Sequence, residues 1–118
     1  TTAGTVGSSF WLEYDRFVRY EAASILCVRL TPQTAAGHDL RLWIDRKYLE
    51  AVQVEYITPH PQSVQTTPDK LIYTFRVGGK GEAAMVVFPT TIRKRGTLEG
   101  RMGIEGGPSV RFRQFAYP

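Results

Sequence analysis

Five segments of this chain alternate apolar and polar residues at a period of two, and that pattern restricts the fold more than anything else in the sequence. In "SILCVRL", Leu26, Val28 and Leu30 share one face. In "DLRLWID", Leu40, Leu42 and Ile44 alternate with Arg41, Trp43 and Asp45. "AVQVEYI" sets Val52, Val54 and Tyr56 against Gln53 and Glu55. "KLIYTFRV" aligns Leu71, Tyr73, Phe75 and Val77, "AAMVVF" is a short apolar run, and "SVRFRQFAY" sets Val110 and Phe112 opposite Arg111 and Arg113. A side chain that repeats every second residue returns to the same face only in an extended strand.

Between these segments lie "TPQTAAGHD", "TPHPQSVQTTPD", "GGKG", "KRG" and "EGGP", which supply the Pro, Gly and Asp that turns need. No helical pattern alternates with the strands, which excludes a parallel α/β sheet. The expected fold is all-β: an antiparallel β-sandwich of about seven to nine strands, immunoglobulin-like in general form. A small β-barrel of about six strands is the alternative. Leu26, Val28, Leu42, Ile44, Val54, Phe75, Val86 and Phe112 are the expected inner residues. One helical or 3₁₀ turn is expected in "DRKYLEA", Asp45 to Ala51.

The stretch "FWLEYDRFVRYE", Phe10 to Glu21, fits both periods. As a helix it places Phe10, Tyr14, Phe17, Val18 and Glu21 near one face, with Asp15 and Arg19 as an i,i+4 pair. As a strand it places Phe10, Leu12, Tyr14, Val18 and Tyr20 together, with Arg16 the exception. Composition favours the strand, because aromatic and β-branched side chains lose rotamer freedom in a helix. Ser9 is followed three residues later by Leu12, so no capping box opens a helix there. A long strand with a bulge near Arg16 is expected.

The chain has 118 residues, 42% of them apolar and 22% charged, which suits one globular domain with its own core. Residues 1–9 are small and polar and read as a flexible tether; residues 10–118 read as the single sandwich domain. No apolar run approaches the roughly 20 residues that span a bilayer. The single cysteine, Cys27, excludes an intrachain disulfide and is expected as a buried, poorly reactive thiol.

The candidate chemistry is sparse. Gly79-x-Gly81-x-x-Ala84 superficially matches a dinucleotide fingerprint, but a strand-like run ending at Pro89 follows it where a helix is required. A hairpin turn is the expected structure, and no cofactor is expected. His38 and His60 lie in loops without metal-ligand spacing to each other or to Cys27. No carboxylate pair or nucleophile–base arrangement is recognisable, so no catalytic or metal-binding residue is assigned. The densest basic cluster is Arg93, Lys94 and Arg95, just before Gly96, with Arg101, Arg111 and Arg113 able to join it if the last strands pair. The net charge of +4 mildly favours acidic partners. The three clustered cations are the expected contact with an anionic surface, through weak, salt-sensitive binding that is lost when all three become Ser. Nucleic acid ranks last as a partner, because most aromatics fall on expected core faces.

The order "EYDRFVRYEA", "LRLWIDRKYLEAVQVEYITPHP", "LIYTFRV", "RGTLEGRMGIEGG" and a terminal "VRFRQFAYP" resembles the extracytoplasmic domain of small, single-anchor bacterial inner-membrane proteins of unknown function. The resemblance implies an upstream transmembrane anchor absent from this chain, a natural end at Pro118 and a multi-pass membrane protein as partner. It carries no functional residues across. The expected function is therefore a non-enzymatic, extracytoplasmic, membrane-tethered binding or assembly module. The alternatives are an enzyme with a loop-assembled site near His60 and a weak nucleic-acid binder. A pocket gathering His60, His38 and a carboxylate would favour the enzyme; an open stripe of Arg with exposed Trp or Phe would favour the nucleic-acid binder.

Overall fold

Alternating segments become strands wherever turn residues bound them. The structure, a computed structural model, describes residues 1–5, 9–31, 39–76 and 84–118. The elements in chain order are β1 (Thr2–Ala3), β2 (Phe10–Glu13), β3 (Phe17–Arg19), β4 (Ala23–Leu30), β5 (Leu40–Asp45), a short helix α1 (Arg46–Leu49), β6 (Val52–Val54), β7 (Ser63–Thr66), β8 (Lys70–Phe75), β9 (Ala84–Ile92), β10 (Gly96–Ile104) and β11 (Ser109–Tyr117). They form a five-stranded sheet, β1-β2-β4-β9-β6, and a six-stranded sheet, β3-β11-β10-β5-β8-β7. All pairings are antiparallel except β3 on β11, which is parallel. The fold is an antiparallel β-sandwich, immunoglobulin-like in general form, with eleven strands among the described residues where about seven to nine were expected.

One core lies between the sheets. Leu12, Leu26, Val28, Val86 and Phe88 face inward from the first, and Leu42, Ile44, Phe75, Met102 and Phe112 from the second. Seven of the eight expected inner residues are buried; Val54 is only partly buried, because β6 is a three-residue strand at the sheet edge. The expected helical turn is α1. It drives Tyr48 into the core, where the hydroxyl donates to Gln114 Oε1 at 2.7 Å.

The stretch from Phe10 to Glu21 is not one bulged strand. It is two strands in different sheets, β2 paired with β4 and β3 paired with β11. Tyr14 to Arg16 carries the chain across, with Gln114 Nε2 donating to the Asp15 carbonyl at 2.9 Å and the Asp15 carboxylate accepting from Ser24 at 3.0 Å. Four of the five residues expected on one face reach the core: Phe10, Leu12 and Val18 are buried there and Tyr14 packs against it, whereas Tyr20 is only half-buried and outside it.

The tether expected over residues 1–9 does not hold at its start. Thr2 and Ala3 pair with Glu13 and Leu12, Tyr14 N–H donates to the Thr1 carbonyl at 3.0 Å, and Ala3 is buried. Three small residues suffice to extend a sheet edge, because the ladder bonds come from backbone. Nor does the strand at "AAMVVF" end at Pro89; β9 continues to Ile92. The Pro89 carbonyl accepts from Glu55 N–H at 2.9 Å, so its missing N–H also faces the β6 side, beyond the last rung of that short ladder. The hairpin expected around Gly79 and Gly81 lies outside the described residues.

Candidate anionic-surface site

The same alternation that fills the core fixes what the outer face of the six-stranded sheet presents. In β11 the buried residues are Phe112, Gln114 and Ala116, which turns Arg111, Arg113, Phe115 and Tyr117 outward. In β10 burial of Leu98, Gly100 and Met102 turns Thr97, Glu99 and Arg101 outward. In β3 burial of Val18 turns out Phe17 and Arg19.

Strand register then sets neighbours. Arg101 lies directly opposite Arg111, Glu99 opposite Arg113, Phe17 opposite Phe115 and Arg19 opposite Tyr117. The Arg113 guanidinium bonds Glu99 at 2.9 Å, with both side chains more than half exposed. Such a pair contributes little stability in water. Arg19, Arg101 and Arg111 have no ion-pair partner among the described residues. Like charges directly opposite on a sheet destabilise it. The Arg101–Arg111 pair therefore carries a cost that an external anion would relieve. Asp45 lies nearby, but its carboxylate accepts from the Arg101 backbone N–H at 3.1 Å.

Large aromatics stand exposed in this field. Phe17 is 67% exposed, Phe115 47% and Tyr117 44%. The Arg16 guanidinium lies 5.7 Å from the Phe17 ring centroid. An open cleft along the face is lined by Thr1, Arg16, Phe17, Arg111, Arg113 and Phe115, among others. Farther across the sheet Lys70 lies over Trp43, 5.2 Å from its ring centroid.

Arg93, Lys94 and Arg95 occupy the turn from β9 to β10, all three exposed, and Gly96 turns the chain with φ of 92°. They are not three equivalent free cations. Arg93 donates to Gln53 through its side chain and to the Ala51 carbonyl through its backbone at 2.8 Å. Arg95 stacks on Tyr20 at 4.5 Å. Lys94 has no ion-pair partner among the described residues. The turn borders the aromatic corner, since Gly96 is opposite Ala116 and Tyr20 N–H donates to the Tyr117 carbonyl at 2.9 Å.

His60 is exposed in the segment between β6 and β7 and is not among the residues lining the cleft described above. His38 lies outside the described residues.

Sequence reasoning missed Phe17, Phe115 and Tyr117. A signal for two of them was present: with Val110 and Phe112 inward and Arg111 and Arg113 outward, continuing the alternation places Phe115 and Tyr117 with the arginines. Phe17 had no such signal, because its phase depends on the crossing between sheets.

Cys27 was expected in the core and is instead half-buried on the outer face of the other sheet, in register with Glu13 and Val87. Partial burial raises its thiol pKa above the ordinary value, Arg29 opposes that rise and Glu13 adds to it. The thiolate is the reacting form. Labelling of the native domain by a thiol reagent at neutral pH is therefore expected to run at least several-fold slower than labelling of the unfolded chain, and to accelerate as pH rises. Equal rates in the two states would refute this.

No family model matches the chain, and no curated protein matches it. Among solved structures it is similar to the CARDB domain of the PF1109 protein from Pyrococcus furiosus in complex with di-metal ions, at 11% identity and a TM-score of 0.48, over 90% of this chain and 84% of that one.

Proposed function

We propose that this domain is a non-enzymatic, extracytoplasmic, membrane-tethered binding module, and that its working surface is the outer face of the six-stranded sheet. The observation that carries the reading is the opposition of Arg101 and Arg111 in a cleft that exposed Phe17 and Phe115 also line. A face built for solubility alone intersperses both signs and hides its aromatics. This one sets unpaired guanidiniums opposite each other, and their planar forks suit carboxylate or phosphate oxygens. The basic turn extends the same field to the edge of the molecule through Lys94 and Arg95.

The reading is tested by retention of the domain on immobilised heparin, a polyanion. Retention should weaken as salt rises, because exposed charges are screened within about 10 Å at 0.1 M salt. Arg101→Gln with Arg111→Gln should elute at clearly lower salt, whereas Arg29→Gln, on the opposite sheet, should elute less altered. Equal elution of the two variants would sink the assignment of the face.

A further inference from the structure

Three exposed aromatics gather at one corner of the six-stranded sheet, and the corner is its rim: β3 is the edge strand. Phe17 and Phe115 are opposite each other there, and Tyr117 follows Phe115 on the same face, two residues along β11. Arg16, Arg19, Lys94, Arg95 and Arg113 surround them. Among the described residues, the carboxylates near this corner are Glu99, which is bonded to Arg113, Glu21 in the turn after β3, Asp15, which accepts from Ser24, and Asp45, which lines the same cleft; the cations outnumber them.

Given the binding-module reading above, we propose that this corner docks on an anionic lipid bilayer. Phe17, Phe115 and Tyr117 enter the boundary between headgroups and acyl chains, while the surrounding cations meet lipid phosphates. The inference rests on that reading and narrows it to one partner.

The composition and position of the patch favour a bilayer. The patch has both components that interfacial binding requires, apolar area to bury and cations to attract. Aromatic rings favour the headgroup level, where an apolar body and a polar environment are both satisfied. Arginine stems lie along apolar surface while their heads stay in the polar layer, so the ring of cations need not be dehydrated. The position at a sheet rim allows three side chains to enter the interface while the backbone stays outside it. Outward Arg101, Arg111 and Arg113 with exposed Phe17 and Phe115 also meet the arrangement expected of a nucleic-acid binder, but a track for single-stranded nucleic acid spreads its stacking rings along a groove, and the clustering of these rings at one corner favours the bilayer.

The test is co-sedimentation of the isolated domain with phosphatidylcholine vesicles, and with phosphatidylcholine vesicles containing phosphatidylglycerol. Binding is expected on the mixed vesicles, at least tenfold weaker on the neutral ones, and reduced by salt. Phe17→Ser, Phe115→Ser and Tyr117→Ser together should lower binding to mixed vesicles at least tenfold yet leave heparin retention nearly unchanged, since every cation remains. A circular dichroism spectrum and unfolding midpoint close to the parent's would show that this variant folds; if it does not, Phe17→Ser alone, with a smaller expected loss, replaces it. Vesicle binding unmoved by the aromatic changes, or equal on the two vesicle types, overturns the proposal. Retention on heparin or on a poly-dT oligonucleotide without vesicle binding overturns it and leaves the broader anionic-partner reading standing. Failure on heparin, oligonucleotide and vesicles removes both.

Discussion

Replacing Phe112 by Ala is expected to lower stability by about 3–5 kcal/mol, the usual cost of emptying an aromatic core position. The ring sits where three features of the fold meet. It packs against Tyr14, with centroids 5.4 Å apart, and edge-on to Tyr48 at 4.8 Å. It also lies flat over Gly100, its partner residue across β10 and β11. A Cβ built on Gly100 would come within 2.3 Å of the Phe112 Cζ, so the glycine is the floor on which the ring rests. Gly100→Ala should therefore cost about 1–3 kcal/mol through overpacking. The two substitutions should not add. With the ring removed, the new methyl enters the space the ring vacated, and the Gly100→Ala cost should shrink or reverse. Chemical denaturation of the four proteins of this cycle measures the coupling. Additive losses would show that the ring and the glycine do not share one space.

The second large effect is expected at Gln114, which is fully buried and polar. Its Oε1 accepts from the Tyr48 hydroxyl at 2.7 Å, and its Nε2 donates to the Asp15 carbonyl at 2.9 Å. One side chain thus joins α1, β11 and the crossing between β2 and β3. Gln114→Leu keeps the bulk but strands the Tyr48 hydroxyl and the Asp15 carbonyl, at about 1–3 kcal/mol for each group left without a partner. Adding Tyr48→Phe to that variant should recover part of the loss, because the stranded hydroxyl goes with it. No recovery would mean that packing, rather than hydrogen bonding, is what Gln114 contributes.

The same hydroxyl makes a pH prediction. Burial, with a smaller contribution from Asp45, pushes the Tyr48 pKa well above its ordinary value of 10.0. Burial raises that of Tyr73 as well. A phenol with a raised folded-state pKa holds its proton more tightly in the native state. Its contribution to stability is complete below about pH 10 and is lost as pH rises through the folded-state value. Unfolding midpoints should thus fall above about pH 10, and Tyr48→Phe should flatten that fall. An unchanged slope in the variant would exclude Tyr48 as its source.

β10 shows why a strand can escape a sequence reading. Its inward positions are Leu98, Gly100 and Met102, and the glycine interrupts the apolar rhythm that identifies a strand. The missing side-chain volume at Gly100 is supplied by Phe112, twelve residues later and on another strand. β7 escaped for a different reason: it is an edge strand exposed at all four positions, so no apolar face marks it. The Phe10–Glu21 stretch fitted two periods because it serves two sheets, with a change of direction at Asp15 that a buried glutamine near the far end of the chain supports.

The sequence by itself determined the class of fold, the two-faced character of β4, β5 and β11, the helical turn at α1 and nearly all of the expected inner residues. These depend on which face a residue takes along its own strand, and a period of two carries that information locally. It also located the basic turn. Only the tertiary structure decided that Arg101 meets Arg111, that Phe17 meets Phe115, that Arg93 and Arg95 are held by Gln53 and Tyr20, and that Cys27 faces outward. Those contacts join strands far apart in the chain, and register between strands is set by the packing of the whole core. The aromatic corner belongs to that second group: its residues are spread from Phe17 to Tyr117, and only the parallel pairing of β3 on β11 brings them to one edge.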